Sequence, residues 1–140
     1  MNTALFLIQI ILQLVVLRLA LRLGQIALAA FVVIEALLAN LFVLKQITLF
    51  GLSVTASDSF IIGSMLALAL YQELFGQKES KTLSLITFGS LFFMTLTSIL
   101  HLALQAAPSD TSQTHYHYIL NQAPRISISS LIAFYISSRS

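Results

Sequence analysis

The sequence predicts an all-α protein, a polytopic bundle of transmembrane helices with four full spans and an incomplete fifth. Three observations carry that expectation. Hydrophobic residues make up 58% of the 140 positions and charged residues only 9%, against about 25% charged in a soluble domain. The mean hydropathy is +0.94. The apolar runs are continuous rather than alternating, which favours helices over barrel strands. Only those two structures satisfy every backbone polar group in lipid.

A spanning helix needs about 20 mostly apolar residues. The first is expected from about Ala4 to Leu23, with Arg18 and Arg22 reaching for the interface at its end. Those arginines follow the apolar run instead of preceding it, so a retained helix is expected and not a cleaved signal peptide. The second helix is expected over 26–44. The third is expected over 56–75, opened by a capping box in which Thr55 caps and Asp58 answers, and stopped by Gly76. The fourth is expected over 83–104. A polar loop follows, holding His115, Tyr116 and His117 and bracketed by Pro108 and Pro124. The last apolar segment, 126–138, would make only about 20 Å of helix at 1.5 Å per residue, so it is expected to be unfinished. The whole of 1–140 then reads as a single integral membrane domain, with no internal repeat visible.

Charge gives orientation and excludes some partners. Five of the seven Lys and Arg residues, namely Arg18, Arg22, Lys78, Lys81 and Arg139, fall on one side of this topology. Lys45 and Arg125 fall on the other. The positive-inside rule then places the one–two and three–four connections in the cytoplasm, in a multi-pass arrangement in the inner membrane. A net charge of +2 with dispersed cations suggests no nucleic-acid partner. There is no cysteine and no P-loop motif. No arrangement of nucleophile, base and orienting group stands out, so no catalytic residue is expected. The histidines lack the spacing of a zinc or haem site, so no metal or cofactor is expected either.

The polar residues inside the apolar runs are the candidate functional groups. Glu35 lies about halfway along the second helix, where a charge costs on the order of 2.5–3.5 kcal/mol on insertion scales. It is a candidate proton-coupling site or substrate contact, or else a structural acid that is partnered by a side chain such as Gln9 or Gln13 or is protonated to a neutral acid. Asn40 lies about 140° around the helix from it. Its amide suits either the edge of a heterocycle or an interhelical hydrogen bond. Lys45 reads as an interface anchor. Gln72 and Glu73 stand near the end of the third helix, where a carboxylate opposes the dipole. Ser59, Gly63 and Ala67 form a small-xxx-small stripe that favours close helix packing. The stripe Ser84, Thr87, Ser90, Met94, Thr97 and His101 on the fourth helix is either a cavity wall or a set of hydroxyls bonded to their own i−4 carbonyls.

Three blocks carry a resemblance. The first is "ANLFVLKQITLFG", with Asn40 followed by Phe50 and Gly51. The second is "YQELFGQK", with Glu73, Phe75, Gly76, Gln77 and Lys78. The third is "PRISISSLIA", with Arg125, Ile126, Ser130 and Ala133. In this order and spacing they resemble the queuosine precursor transporters, also labelled vitamin uptake transporters.

The resemblance implies a bundle of about six helices that imports deazaguanine precursors of a tRNA nucleoside. It implies substrate contacts from Asn40, Gln72, Glu73 and Arg125, with Phe60 and Tyr71 as stacking candidates. The lipid bilayer, the deazaguanine substrate, and another membrane subunit or a second copy of the chain are the expected partners. Two departures stand against the family pattern. Ala69 occupies the place of a frequent Asp, and the chain stops near Ser138, where members continue, so it looks shortened at its C-terminus. The alternative expectation is a structural or remnant membrane subunit without autonomous transport, in which the polar residues only join helices.

Overall fold

The fold is that of a computed structural model, in which residues 1–122 and 129 are described. The chain runs α1 (Asn2–Leu23), α2 (Gln25–Phe42), β1 (Gln46–Leu49), β2 (Leu52–Thr55), α3 (Asp58–Phe75), α4 (Gln77–Ala103) and α5 (Gln113–Leu120). The expected helix over 126–138 and Arg125 lie outside the described residues. Two compact units are present, Met1–Thr87 and Phe88 onward, with the boundary inside α4.

In the first unit, α1 and α2 are joined by the single residue Gly24, and α3 and α4 by the single residue Gly76. Both glycines adopt a backbone conformation that is essentially closed to other residues, with φ 103° and ψ −165° at Gly24 and φ 93° and ψ 166° at Gly76. Each closes the helix before it, donating its N–H to Ala20 at 3.1 Å and to Gln72 at 2.9 Å. Each also accepts from the helix after it, from Leu28 and Ser80. The expectation that Gly76 stops the third helix is met. The fourth helix, however, begins at once at Gln77 rather than at Leu83. A helix–Gly–helix unit thus occurs twice, a repetition of backbone that the residue pattern did not reveal.

Between α2 and α3, within the first unit, lies a hairpin. Strands β1 and β2 pair antiparallel with Leu49 opposite Leu52. Phe50 (φ 52°) and Gly51 (φ 79°) make the two-residue turn, and positive φ at both positions is the signature of a type I′ turn. Below the strands, Ala56 N–H donates to the Lys45 carbonyl at 2.7 Å. Helix α2 therefore ends at Phe42, before the predicted Leu44. The capping box is also corrected. Ser57 holds the N-cap position, and Thr55 hydrogen-bonds the Asp58 carboxylate and the Ser57 hydroxyl by its side chain.

Helices α2 and α3 run antiparallel, as Gln25 meets Tyr71, Glu35 meets Gly63 and Phe42 meets Phe60. Ala67 is wholly buried and Gly63 carries no side chain, so the small stripe of α3 lets the two backbones approach. The packed core, Leu17, Ala20, Leu28, Phe31, Val32, Ala67, Tyr71 and Leu83, is gathered toward the Gly24 and Gly76 end. The outer faces remain apolar: Ile8, Ile11, Leu12 and Val15 of α1 are each more than half exposed. Such a surface suits hydrocarbon, where close packing and hydrogen bonds hold helices together because lipid is as apolar as leucine.

Among the described residues, α1, α2 and α4 are long and apolar enough to cross a membrane. Helix α3 has the 18 residues of α2 but carries Asp58, Gln72 and Glu73 at its ends, and it does not join them. The described residues are thus mainly helical and hold three candidate spans.

In the second unit, the hydroxyls of α4 bond their own backbone: Thr95 to Leu91, Thr97 to Phe93 and Ser98 to Met94, at 2.7–2.9 Å. In the first unit, Ser84 and Thr87 do the same. Ser84, Thr87 and Thr97 of the α4 stripe thus bond their own i−4 carbonyls, the second of the two expectations for that stripe. The segment expected as loop holds α5, capped at Ser112, and His115 and His117 stand on that helix.

Candidate functional site

Three helices bring a polar cluster together inside the first unit. From α1, Gln9 Nε2 donates to Ser59 Oγ at 2.6 Å, and Gln13 Nε2 donates to Glu35 Oε2 at 3.2 Å. Gln13 also lies 3.5 Å from Ser59 Oγ. Gln9 and Gln13 are one helical turn apart and therefore share a face. Glu35 is 4% exposed. Its carboxyl presses against Gly63 so closely that a Cβ built there would lie 2.6 Å from Oε2. The small stripe of α3 thus does two things, allowing helix packing and making room for a buried acid. The sequence foresaw a glutamine partner for Glu35. It did not connect Glu35 with Ser59 or Gly63, although the stripe that contains them was visible.

Beside the cluster is a cavity of about 460 Å³, with Gln9, Gln13, Glu35, Phe31, Ile34 and Phe60 in its wall. That is within the size range of small-molecule sites, which combine mostly apolar walls with a few placed polar groups. The acid and the two amides, bonded to one another and to Ser59, reach this wall with little of their polar surface, while Phe31 and Phe60 give it flat apolar surface. Phe60 also meets Phe42 at a ring separation of 5.5 Å. Tyr71, the other stacking candidate, is buried elsewhere, its hydroxyl accepting from Gln25 Nε2 at 2.8 Å.

The other candidates are distributed along the bundle. Asn40 donates from Nδ2 to the Ala36 carbonyl at 2.9 Å, while its Oδ1 is buried without a partner. A buried acceptor in this state costs about 1–3 kcal/mol. Gln72 and Glu73 are exposed at the far end of α3, beside Gly76, with Gln72 Oε1 3.5 Å from Ser80 Oγ. Tyr71 is level with Gln25, and Asn40 is fifteen residues further along α2, about 22 Å at 1.5 Å per residue. Asn40 and the Gln72–Glu73 pair therefore stand at opposite ends of the α2–α3 pair, too far apart to grip one small base together. Lys45 is exposed below the hairpin, as an interface anchor would be.

In the second unit, His101 meets Tyr116 edge-on with ring centroids 5.5 Å apart. Asp110 accepts from the Ser112 hydroxyl at 2.6 Å and the Ser112 N–H at 2.9 Å. Those bonds hold its carboxyl below the usual carboxylate range. Among the described residues, no three His, Asp or Glu side chains gather as a metal site would require.

Comparison with known proteins adds an independent line. A protein of Bacillus subtilis (strain 168) named "Probable queuosine precursor transporter" is 30% identical over 114 residues, which cover 81% of this chain and 50% of that one. The chain therefore spans about half the length of this curated relative. No solved structure matches. The family model described as "Putative vitamin uptake transporter" matches residues 55–140, from the end of the hairpin through α3, α4 and α5. With more than half of its length in that match, the chain belongs to the vitamin uptake transporter family.

Proposed function

We propose that the chain is a multi-pass protein of the inner membrane that imports queuosine precursors, deazaguanine bases, and catalyses no reaction. The substrate class comes from the relative's name and from the motifs around Asn40, Phe50–Gly51 and Glu73. The observation within this chain that supports it is the 460 Å³ cavity with Gln9, Gln13 and Glu35 in an otherwise apolar wall. A flat base with N–H donors on one edge and acceptors on another would meet Glu35 and the two amides there, between Phe31 and Phe60.

In this reading the separated candidates act in sequence along a path. Asn40, with its unpartnered Oδ1, serves one end, and Gln72 and Glu73 serve the other. Arg125 remains a candidate substrate contact, and Glu35 is the proton-coupling group. The Gly24 and Gly76 joints, flanked by Arg18, Arg22, Lys78 and Lys81, face the cytoplasm. Helix α3 crosses the bilayer as the fourth full span, with its polar termini at the two interfaces. Transport proceeds by alternating access or by delivery to a separate membrane subunit or second copy.

The test is a bacterium that neither makes nor imports the precursors, supplied with precursor and carrying this chain. Queuosine should appear in its tRNA, and Asn40→Leu, Glu73→Leu and Glu35→Gln should abolish it at equal membrane levels. A correctly inserted parent chain that yields no queuosine would refute autonomous import.

A further inference from the structure

The polar cluster has a second side. A smaller cavity of about 180 Å³ is lined by residues that include Phe6, Ile10, Gln13, Asp58, Ser59 and Gly63. Gln13 and Phe31 line this cavity and the larger one alike, so they form the partition between the two. Glu35 lines the larger cavity, but its Oε2 occupies the space that a side chain at residue 63 would fill. Gly63 lines the smaller cavity, and with no side chain there the Glu35 carboxyl lies directly behind that part of its wall.

The smaller cavity also reaches an exposed acid. Asp58 lies in the first turn of α3 beside the hairpin and is exposed. It precedes Gly63 by five residues, about 7.5 Å of axial rise. Between them Ser59 Oγ accepts from Gln9 and Gln13, which leaves the Ser59 hydroxyl as a donor. A volume of 180 Å³ has room for several waters, since about 10–15 Å³ by the same kind of measure suffices for one, and Gln13, Ser59 and Asp58 are the polar partners such waters would need in an otherwise apolar wall. The groups that face Glu35 from α1 are the neutral Gln9 and Gln13. Among the described residues of the two cavity walls, Asp58 is the other ionisable group.

We propose that the smaller cavity is the proton-access route to Glu35, with Asp58 at its mouth and Gly63 at its inner end. A proton from solvent neutralises the Asp58 carboxylate, passes through cavity water, and neutralises the Glu35 carboxylate. Asp58 is left anionic for the next proton. Release from Glu35 toward the larger cavity then accompanies movement of the substrate. The proposal rests on the reading of Glu35 as the coupling group, and its test separates the two.

The purified chain is reconstituted in vesicles, and two quantities are followed. One is uptake of labelled deazaguanine driven by an imposed pH gradient. The other is hydrogen–deuterium exchange of the Glu35 carboxyl infrared band at acid pD, assigned by its loss in Glu35→Gln. Asp58→Asn removes the acid at the mouth, and Ile10→Phe fills the smaller cavity without touching the larger one. Both should slow exchange of the band and lose gradient-driven uptake, while substrate exchange without a gradient persists. Parental exchange kinetics in both variants would overturn the route, as when a lipid acyl chain fills the cavity. Gradient-driven uptake that survives Glu35→Gln would instead overturn the coupling role, whatever the band does.

Discussion

Replacing Gly24 by alanine tests how the two helix pairs are joined. Gly24 has φ 103° and ψ −165°, a region where a residue with a Cβ is strained by about 1–3 kcal/mol. An added Cβ there would meet nothing within 4 Å, so no collision adds to that cost and no new packing offsets it. The same holds at Gly76. Gly89 is the control, because it lies within α4, has an ordinary helical backbone and also has open space around a built Cβ. Alanine at residue 89 should stabilise by up to about 1 kcal/mol through helix propensity. Gly24→Ala and Gly89→Ala, the same chemical change, should therefore differ by about 1–4 kcal/mol. Circular dichroism during denaturation with SDS in mixed micelles measures this difference. Equal stability of the Gly24 and Gly89 variants would refute the argument, and so would a Gly76→Ala protein as stable as its parent.

Four other outcomes are expected. Gly63→Ala should change stability by less than about 1 kcal/mol, because helix propensity offsets a displaced Glu35 rotamer and a lost Gln13 bond; a shifted Glu35 carboxyl band in the infrared would show the displacement. Phe50→Asn should stabilise by up to about 1 kcal/mol in the same SDS denaturation, since Asn accepts positive φ more readily than Phe and the Phe50 ring is 87% exposed. Asn40→Leu should leave stability without substrate unchanged or raise it by about 1 kcal/mol, by removing an unpartnered acceptor, while uptake is lost. Asp110, held below the usual carboxylate range, supports the start of α5 above that range, and the support is lost as pH falls through its lowered value. Amide exchange at Ser112 should accelerate over that acid window in the parent and show no such step in Asp110→Ala.

How much of this was legible in the sequence depends on the kind of signal. Long apolar runs gave α1, α2 and α4, because hydrocarbon selects residues by polarity alone. Gly76 was readable as a stop, but nothing marked α4 as resuming at the next residue, since a one-residue joint looks like an ordinary helix end. The hairpin had local signals in Ile47, Thr48, Val54 and Thr55 around Phe50–Gly51. They were hidden because the flanking apolar residues do not alternate cleanly. Helix α5 has eight residues of mixed polarity, too few for a periodic pattern to show.

The site was partly legible. A buried acid needs a partner, and Gln13 was among the few side chains able to supply one. The pairing of Glu35 with Gly63 is a property of α2–α3 register, and spacing within one helix does not contain it. The 22 Å between Asn40 and the Glu73 end has the same origin. Two motifs that read as neighbours along the chain are placed at opposite ends by the antiparallel return.

The single-residue joints also bind length to rotation. With only Gly24 between α1 and α2, there is no slack to absorb an added residue. One residue inserted in α1 between Gln13 and Gly24 would turn Gln9 and Gln13 by about 100° and lift them by about 1.5 Å, away from Ser59 and Glu35. A deletion would turn them the other way. The helices of the first pair are therefore phased like meshed gears. The hairpin tip has no such coupling, and extra residues at Phe50–Gly51 would pass without reaching the cluster.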